Sequence, residues 1–320
     1  MDITQFFIGD DGRYRSGWRF AIFCVAFAFT TFIVAAVGTG LLVMIGVELG
    51  GGVPLPMLAT SLMTFVSALV VGWLCGKVLD GVPFRAIGAW FTEGWLRNLF
   101  AGLLVGAATL CLAVLIAVVF GGLTFEFSTA DSGTIASSLL IGAGIFAVRA
   151  AAEEVLFRGY ILQTFSRSGL AWIGIAITSL FFGVVHSGNP NANIISTIDT
   201  ILAGVWFGIA YLKTRDLWFV FGLHFIWNWM LGSVFGIEVS GITDFAAGSL
   251  FREVDAGPTW LTGGTYGLEG GIASTISLLI STAVIYFAPW LKASEEMVRL
   301  TSSPQKSRTR SDVPSDLTSV

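Results

Sequence analysis

Eight stretches of this chain are apolar for long enough to carry an α-helix across a bilayer, which takes about 20 residues. They cover 19–47, 57–79, 95–121, 135–165, 170–186, 194–213, 217–237 and 272–291. Lipid offers a backbone no hydrogen-bond partners, so runs of this length satisfy their N–H and C=O groups internally as helices. The expected fold is all-α, a polytopic membrane helix bundle with about eight transmembrane helices. Composition agrees: 55% of the 320 residues are hydrophobic and 12% are charged, against roughly a quarter charged in a soluble domain. The first run is too long to be the core of a cleaved signal peptide and reads as a membrane helix that doubles as the export signal.

Basic residues test the count independently, because Lys and Arg collect in alternate loops of a correctly numbered bundle. Arg13, Arg15 and Arg19 precede or open the first run. Lys77, Arg85 and Arg97 follow the second, Arg167 the fourth, Lys213 and Arg215 the sixth, and Lys292, Arg299, Lys306, Arg308 and Arg310 the last. The intervening loops carry only Arg252, set among Glu238, Asp244, Glu253, Asp255 and Glu269. The expectation is a multi-pass protein of the cell membrane with both termini cytoplasmic. Residues 1–18 form an N-terminal segment, 19–291 the bundle, and 292–320 a cytoplasmic tail whose Ser, Thr, Pro and charge content predicts disorder.

Several function classes fall away. A formal charge of −4 gives nucleic acid no reason to bind, which leaves membrane lipid and a peptide or protein as expected partners. Cys24, Cys75 and Cys111 stand in apolar runs without CxxC spacing, so neither a disulfide framework nor a thiolate metal site is expected. No internal repeat supports a transporter of duplicated halves. The loop 237–271, ending TGGTYGLEGG, reads equally as a cap over a site and as a plain connector.

Ionisable residues inside membrane helices are costly and mark function or a partner. Here they are Arg149, Glu153, Glu154, Arg158, Asp199 and the chain's two histidines, His186 and His224. Glu154 and Arg158 stand four apart, acid first, the favourable order for an ion pair on one helix face. Glu153 points about 100° away around the helix, with Arg149 as its own local alternative. Phe182 and His186 share a helix face, as do His224 and Asn228. Any one of these alone has an ordinary structural explanation, a packed histidine or an interhelical amide; their coincidence on three helices points to a site. Asp199 stands either in that site or as a cavity residue satisfied locally, by Arg149 or by backbone.

The motifs EExxxR (Glu153, Glu154, Arg158), FxxxH (Phe182, His186) and HxxxN (His224, Asn228), with FRGY completing the first, resemble the CPBP or Abi family of intramembrane proteases related to the CAAX prenyl endopeptidase Rce1. The resemblance covers about 135–237. It implies hydrolysis of a peptide bond at or within the bilayer, in a C-terminal or membrane-embedded substrate. Glu153 would be the general base, with His186 helping to hold the water, His224 and Asn228 as oxyanion donors, and Glu154, Arg158 and Phe182 in support. The resemblance also admits a zinc-dependent version with Glu153, His186 and His224 as ligands. The metal-independent version, with no cofactor, is preferred because Asn228 is a poor zinc ligand and a good oxyanion donor. Two rivals stay open: a non-catalytic immunity or peptide-binding protein, and a proton-coupled transporter using Glu153, Glu154 and Asp199.

Overall fold

The computed structural model describes residues 3–9, 11–44 and 54–302. Each apolar run is helical, in an all-α bundle. Six helices are long and apolar enough to cross a membrane: α1 (Ser16–Met44), α2 (Leu55–Asp80), α3 (Trp95–Val119), α4 (Ser132–Arg167), α6 (Ile194–Thr214) and α7 (Leu217–Val234). Two are shorter, α5 (Ala171–His186) and α8 (Ile272–Phe287). At 16 residues each these reach about 24 Å, short of the roughly 30 Å hydrocarbon core, so among the described residues six apolar helices have spanning length and two more fall short of it. The expected end of the first run at Val47 lies outside the described residues.

Close helix contacts follow from small side chains, since lipid gives helices no hydrophobic reason to associate and tight packing must supply the attraction. Gly102 on α3 faces Gly222 on α7, where a Cβ would stand 2.6 Å from the Leu99 carbonyl oxygen, and Gly106 lies against Leu223 one turn on. On α6, a Cβ at Gly204 would stand 2.7 Å from the Ser179 Cα on α5. By contrast α1 is hardly buried and shows Val25, Phe29, Phe32 and Val37 on its surface, as a lipid-facing helix should.

The basic residues of alternate loops do meet at one end of the bundle. Arg19 and Arg167 both pair with the buried Asp80, tying α1 to the ends of α2 and α4. Near the same end Arg85 pairs with Glu296 at 2.7 Å, and Arg215 donates to Thr301 Oγ1 at 3.3 Å.

Those last contacts correct one expectation. Residues 292–320 were to be disordered, yet α9 (Glu295–Thr301) is a helix with Ser294 as its N-cap, two glutamates in its first turn and Met297 fully buried. Seven residues are too few to display a helical period, which is why composition misjudges them. Residues 303–320 lie outside the described residues.

At the opposite end the loop between α7 and α8 is structured. Its strand β2 (Phe251–Asp255) pairs antiparallel with β1 (Leu123–Phe127), which follows α3. Val239 bridges Ile242, the Gly241 N–H donates to the Tyr266 carbonyl, and Asn191 Nδ2 from the α5–α6 turn donates to the Thr265 carbonyl. Of the two readings of this loop, the cap is the one that forms.

Candidate active site

The centre of the site lies where α4 changes pitch. From Val155 to Ile161 the helix widens into π turns, a local irregularity that often accompanies a site, and Glu153 and Glu154 are the last residues before it. Both local ion pairs form: Arg149 Nε lies 3.1 Å from Glu153 Oε1 and Arg158 Nη1 lies 3.1 Å from Glu154 Oε1. The spacing left these pairs as competitors. They coexist because they use different faces of α4.

Arg158 is wholly buried. Its guanidinium stands 5.0 Å from the ring centroids of Phe182 and Phe207 and 5.6 Å from that of Phe157, so aromatic faces replace water around the charge. Nη2 also donates to the Gly204 carbonyl at 3.3 Å.

His186 ends α5 and His224 sits on α7, and both turn Nε2 toward Glu153. Each Nε2 is 3.7 Å from Glu153 Oε2. The other ring nitrogens are held. His186 Nδ1 lies 2.8 Å from the Phe182 carbonyl oxygen, which can only accept, so Nδ1 carries the hydrogen. His224 Nδ1 lies 2.7 Å from Glu154 Oε1, a carboxylate already paired with Arg158, and is placed as a donor for the same reason. Each imidazole in its neutral form therefore offers an Nε2 lone pair to the place that Glu153 Oε2 faces, and that oxygen has no hydrogen-bond partner. Three acceptors converge on one point.

The cluster is the wall between two cavities. One, of about 40 Å³, lies under the cap and is lined by His186, Asp199, His224, Asn228, Ser240 and Glu269 among others; a single water needs only about 10–15 Å³. The other, of about 200 Å³, opens toward α2 and is lined by Glu153, Arg149, His186, Thr60, Ser61 and Asn189. Asn228 is buried one helical turn from His224, and its side chain makes no hydrogen bond among the described residues.

All seven residues singled out by the motifs thus meet. Phe182 serves twice, through its carbonyl to His186 and through its ring to Arg158. Asp199 joins the capped cavity with Thr275 as its partner, at 2.6 Å, in place of Arg149. Sequence reasoning missed Glu269, which comes from the cap: Oε1 accepts from Trp227 Nε1 at 2.9 Å, and Oε2 from the Ser240 N–H and hydroxyl at 2.7 and 2.8 Å. An acid inside a glycine-rich loop was its only signal.

This geometry occupies the segment in which a known family is recognisable. Residues 135–230 match the type II CAAX prenyl endopeptidase Rce1-like family. The Rce1-like segment runs from α4 to α7 and contains all three motifs, so the resemblance drawn from those motifs holds. The chain is also 25% identical over 200 residues to YyaK, an uncharacterized protein of Bacillus subtilis (strain 168). That match covers 62% of this chain and 60% of the relative, so the chain spans about three fifths of that protein's length. With six helices of spanning length among the described residues, three of them within or overlapping the Rce1-like segment, this is a multi-pass membrane protein.

Proposed function

We propose that this chain is an intramembrane endopeptidase that hydrolyses a peptide bond at or within the bilayer by a water held between Glu153 and His186. The observation that carries the reading is the convergence of Glu153 Oε2 and two imidazole Nε2 atoms, 3.7 Å apart on each side, on one point at the edge of a cavity. Water donates two hydrogens, so three acceptors are one too many unless one of them carries a proton. His224 is where an added proton is balanced, because Glu154 lies against its other nitrogen.

The steps follow. Glu153 and His186 accept the two hydrogens of the water, and Glu153 takes a proton as the oxygen attacks the carbonyl carbon. The developing oxyanion accepts from His224 Nε2–H and from the Asn228 amide, donors whose orientation is set before the reaction. Glu153 then returns its proton to the leaving amine. Glu154 positions His224, and Arg158 with its aromatic cage positions Glu154.

A zinc-dependent form of the same hydrolase is the second reading, since two imidazoles and a carboxylate are a zinc donor set. Glu153, His186 and His224 would hold the ion, which would supply Lewis-acid activation. Bonds of 2.0–2.1 Å place tetrahedral zinc ligands about 3.4 Å apart. Glu153 Oε2 stands 3.7 Å from each imidazole nitrogen. We favour the metal-independent form because Asn228, one turn from His224, is a poor zinc ligand and a good oxyanion donor. The alternation of basic loops supports both termini in the cytoplasm of a cell-membrane protein.

The test is cleavage of membrane-anchored peptides by purified protein, with and without chelator and with metal analysis. Glu153→Gln should lower kcat by at least about 100-fold while leaving thermal unfolding cooperative. Retained cleavage in that variant would refute the assignment, and zinc at one per chain with chelator-sensitive turnover would replace it with the metal form. Retained peptide binding with no turnover in the unaltered protein would favour the non-catalytic rival.

A further inference from the structure

The capped cavity holds more negative charge than the reaction uses. Asp199 is 3% exposed. Its Oδ1 accepts from Thr275, and its Oδ2 is buried with no hydrogen-bond partner. Glu269, in the same wall, is met only by the uncharged donors of Trp227 and Ser240. The cations nearby are committed elsewhere, Arg149 to Glu153 and Arg158 to Glu154. Arg252, on the cap, pairs with Glu126. Two carboxylates thus face one small cavity whose cationic groups, Arg149 and the protonated His224, are already paired with Glu153 and Glu154, and a buried carboxylate is costly until a cation joins it.

The uncommitted groups have a pattern. Asp199 Oδ2 and Ser274 Oγ both lack partners and both residues line the cavity, as does Asn228, whose side-chain oxygen is free to accept while its NH₂ donates. An ammonium group carries three N–H donors and one positive charge. Its head is close to water in size and fits a space of about 40 Å³. The loops at the capped end add Glu238 and Asp255, giving that end a field that draws cations.

We propose that Asp199 is a specificity-determining residue that receives the ammonium group of a substrate lysine close to the scissile bond. The inference rests on the peptidase reading, because the cavity that holds Asp199 is the one that holds His186, His224 and Asn228. The salt bridge to Oδ2 neutralises the carboxylate that the fold leaves unpaired, and Thr275 keeps that oxygen turned inward. A substrate with glutamine in place of lysine leaves the charge uncompensated.

The experiment uses the full chain in lipid nanodiscs. Cuts in a proteome-derived peptide library are mapped by mass spectrometry, and paired membrane-anchored peptides then differ only in Lys or Gln at the enriched position. In the unaltered protein the kcat/KM ratio of Lys to Gln peptide should exceed about tenfold, the least expected for a desolvated charge pair. Asp199→Asn should bring that ratio near one, and Asp199→Glu, which keeps the charge, should retain most of it. A ratio near one in the unaltered protein, or one unchanged in Asp199→Asn, overturns the proposal while leaving the peptidase intact. If no peptide is cut, the peptidase reading falls, and anisotropy of the same labelled peptides decides the lysine site. Tighter binding of the Lys peptide that disappears in Asp199→Asn supports it, and equal binding overturns it.

Discussion

Removing the Arg158 guanidinium while keeping the length and apolar character of its stem, as in Arg158→Met, isolates the energetics on which the site is built. The pair it breaks has side-chain exposures of 0% and 1% and a separation of 3.1 Å, so solvent screening offers no relief. At an effective dielectric of about 20, two unit charges at this distance attract by roughly 5 kcal/mol. The expected loss is about 3–5 kcal/mol, because Glu154 stays buried after losing its guanidinium partner. The rings of Phe157, Phe182 and Phe207 close around a methionine with little extra cost, so the loss belongs to the abandoned carboxylate. Glu154→Gln in the Arg158→Met background removes that carboxylate's charge, and the double variant should recover at least half of the loss. The assay is reversible unfolding in mixed micelles followed by tryptophan fluorescence, run as a double-mutant cycle. A single-variant loss under about 1 kcal/mol, or a double variant no more stable than Arg158→Met, would show that the pair is not held as described.

Three further outcomes are expected. Gly222→Ala should cost about 1–3 kcal/mol, since its Cβ would stand 2.6 Å from the Leu99 carbonyl oxygen and push α3 from α7; thermal melting reads it. Glu269→Gln keeps the acceptor of Trp227 but weakens the hold on Ser240, so acrylamide quenching of tryptophan should rise, and unchanged quenching would show that Glu269 does not latch the cap. Burial first, and then Glu238 and Asp255, push the Glu253 carboxyl up to about 8. A folded value above the unfolded one means stability that is fully present below the ordinary carboxylate range and is lost as pH rises through about 8. Amide protection across β2, corrected for the intrinsic pH dependence of exchange, should therefore fall between about pH 5 and 8, and Glu253→Gln should flatten that part of the profile.

Much of the site was legible because its parts are local. The Glu154–Arg158 pair follows from a separation of four on one helix, and the same separation puts Phe182 and His186 on one face, where His186 reaches the Phe182 carbonyl. Helix existence was equally legible, since an apolar run of spanning length has few ways to satisfy its backbone. The helix over Glu295–Thr301 escaped although its signals, Ser294 followed by two acids, were present, because so short a helix owes its stability to docking. Glu269 escaped because nothing local ties residue 269 to residues 227 and 240.

By itself, then, the sequence determined the all-α membrane architecture, the alternation of basic ends and the residue types that would do chemistry, all of which depend on composition or on separations within one helix. Tertiary structure decided that Glu153 Oε2 meets both imidazoles, that both glutamates keep an arginine, and that the long loop closes over the cavity and brings Glu269 to Trp227. It also decided that Asp199 faces inward beside the histidines with one oxygen unpaired. These depend on how helices far apart in the chain pack through Gly102, Gly204 and Gly222, and close packing is a property of surfaces in contact, which no single segment contains.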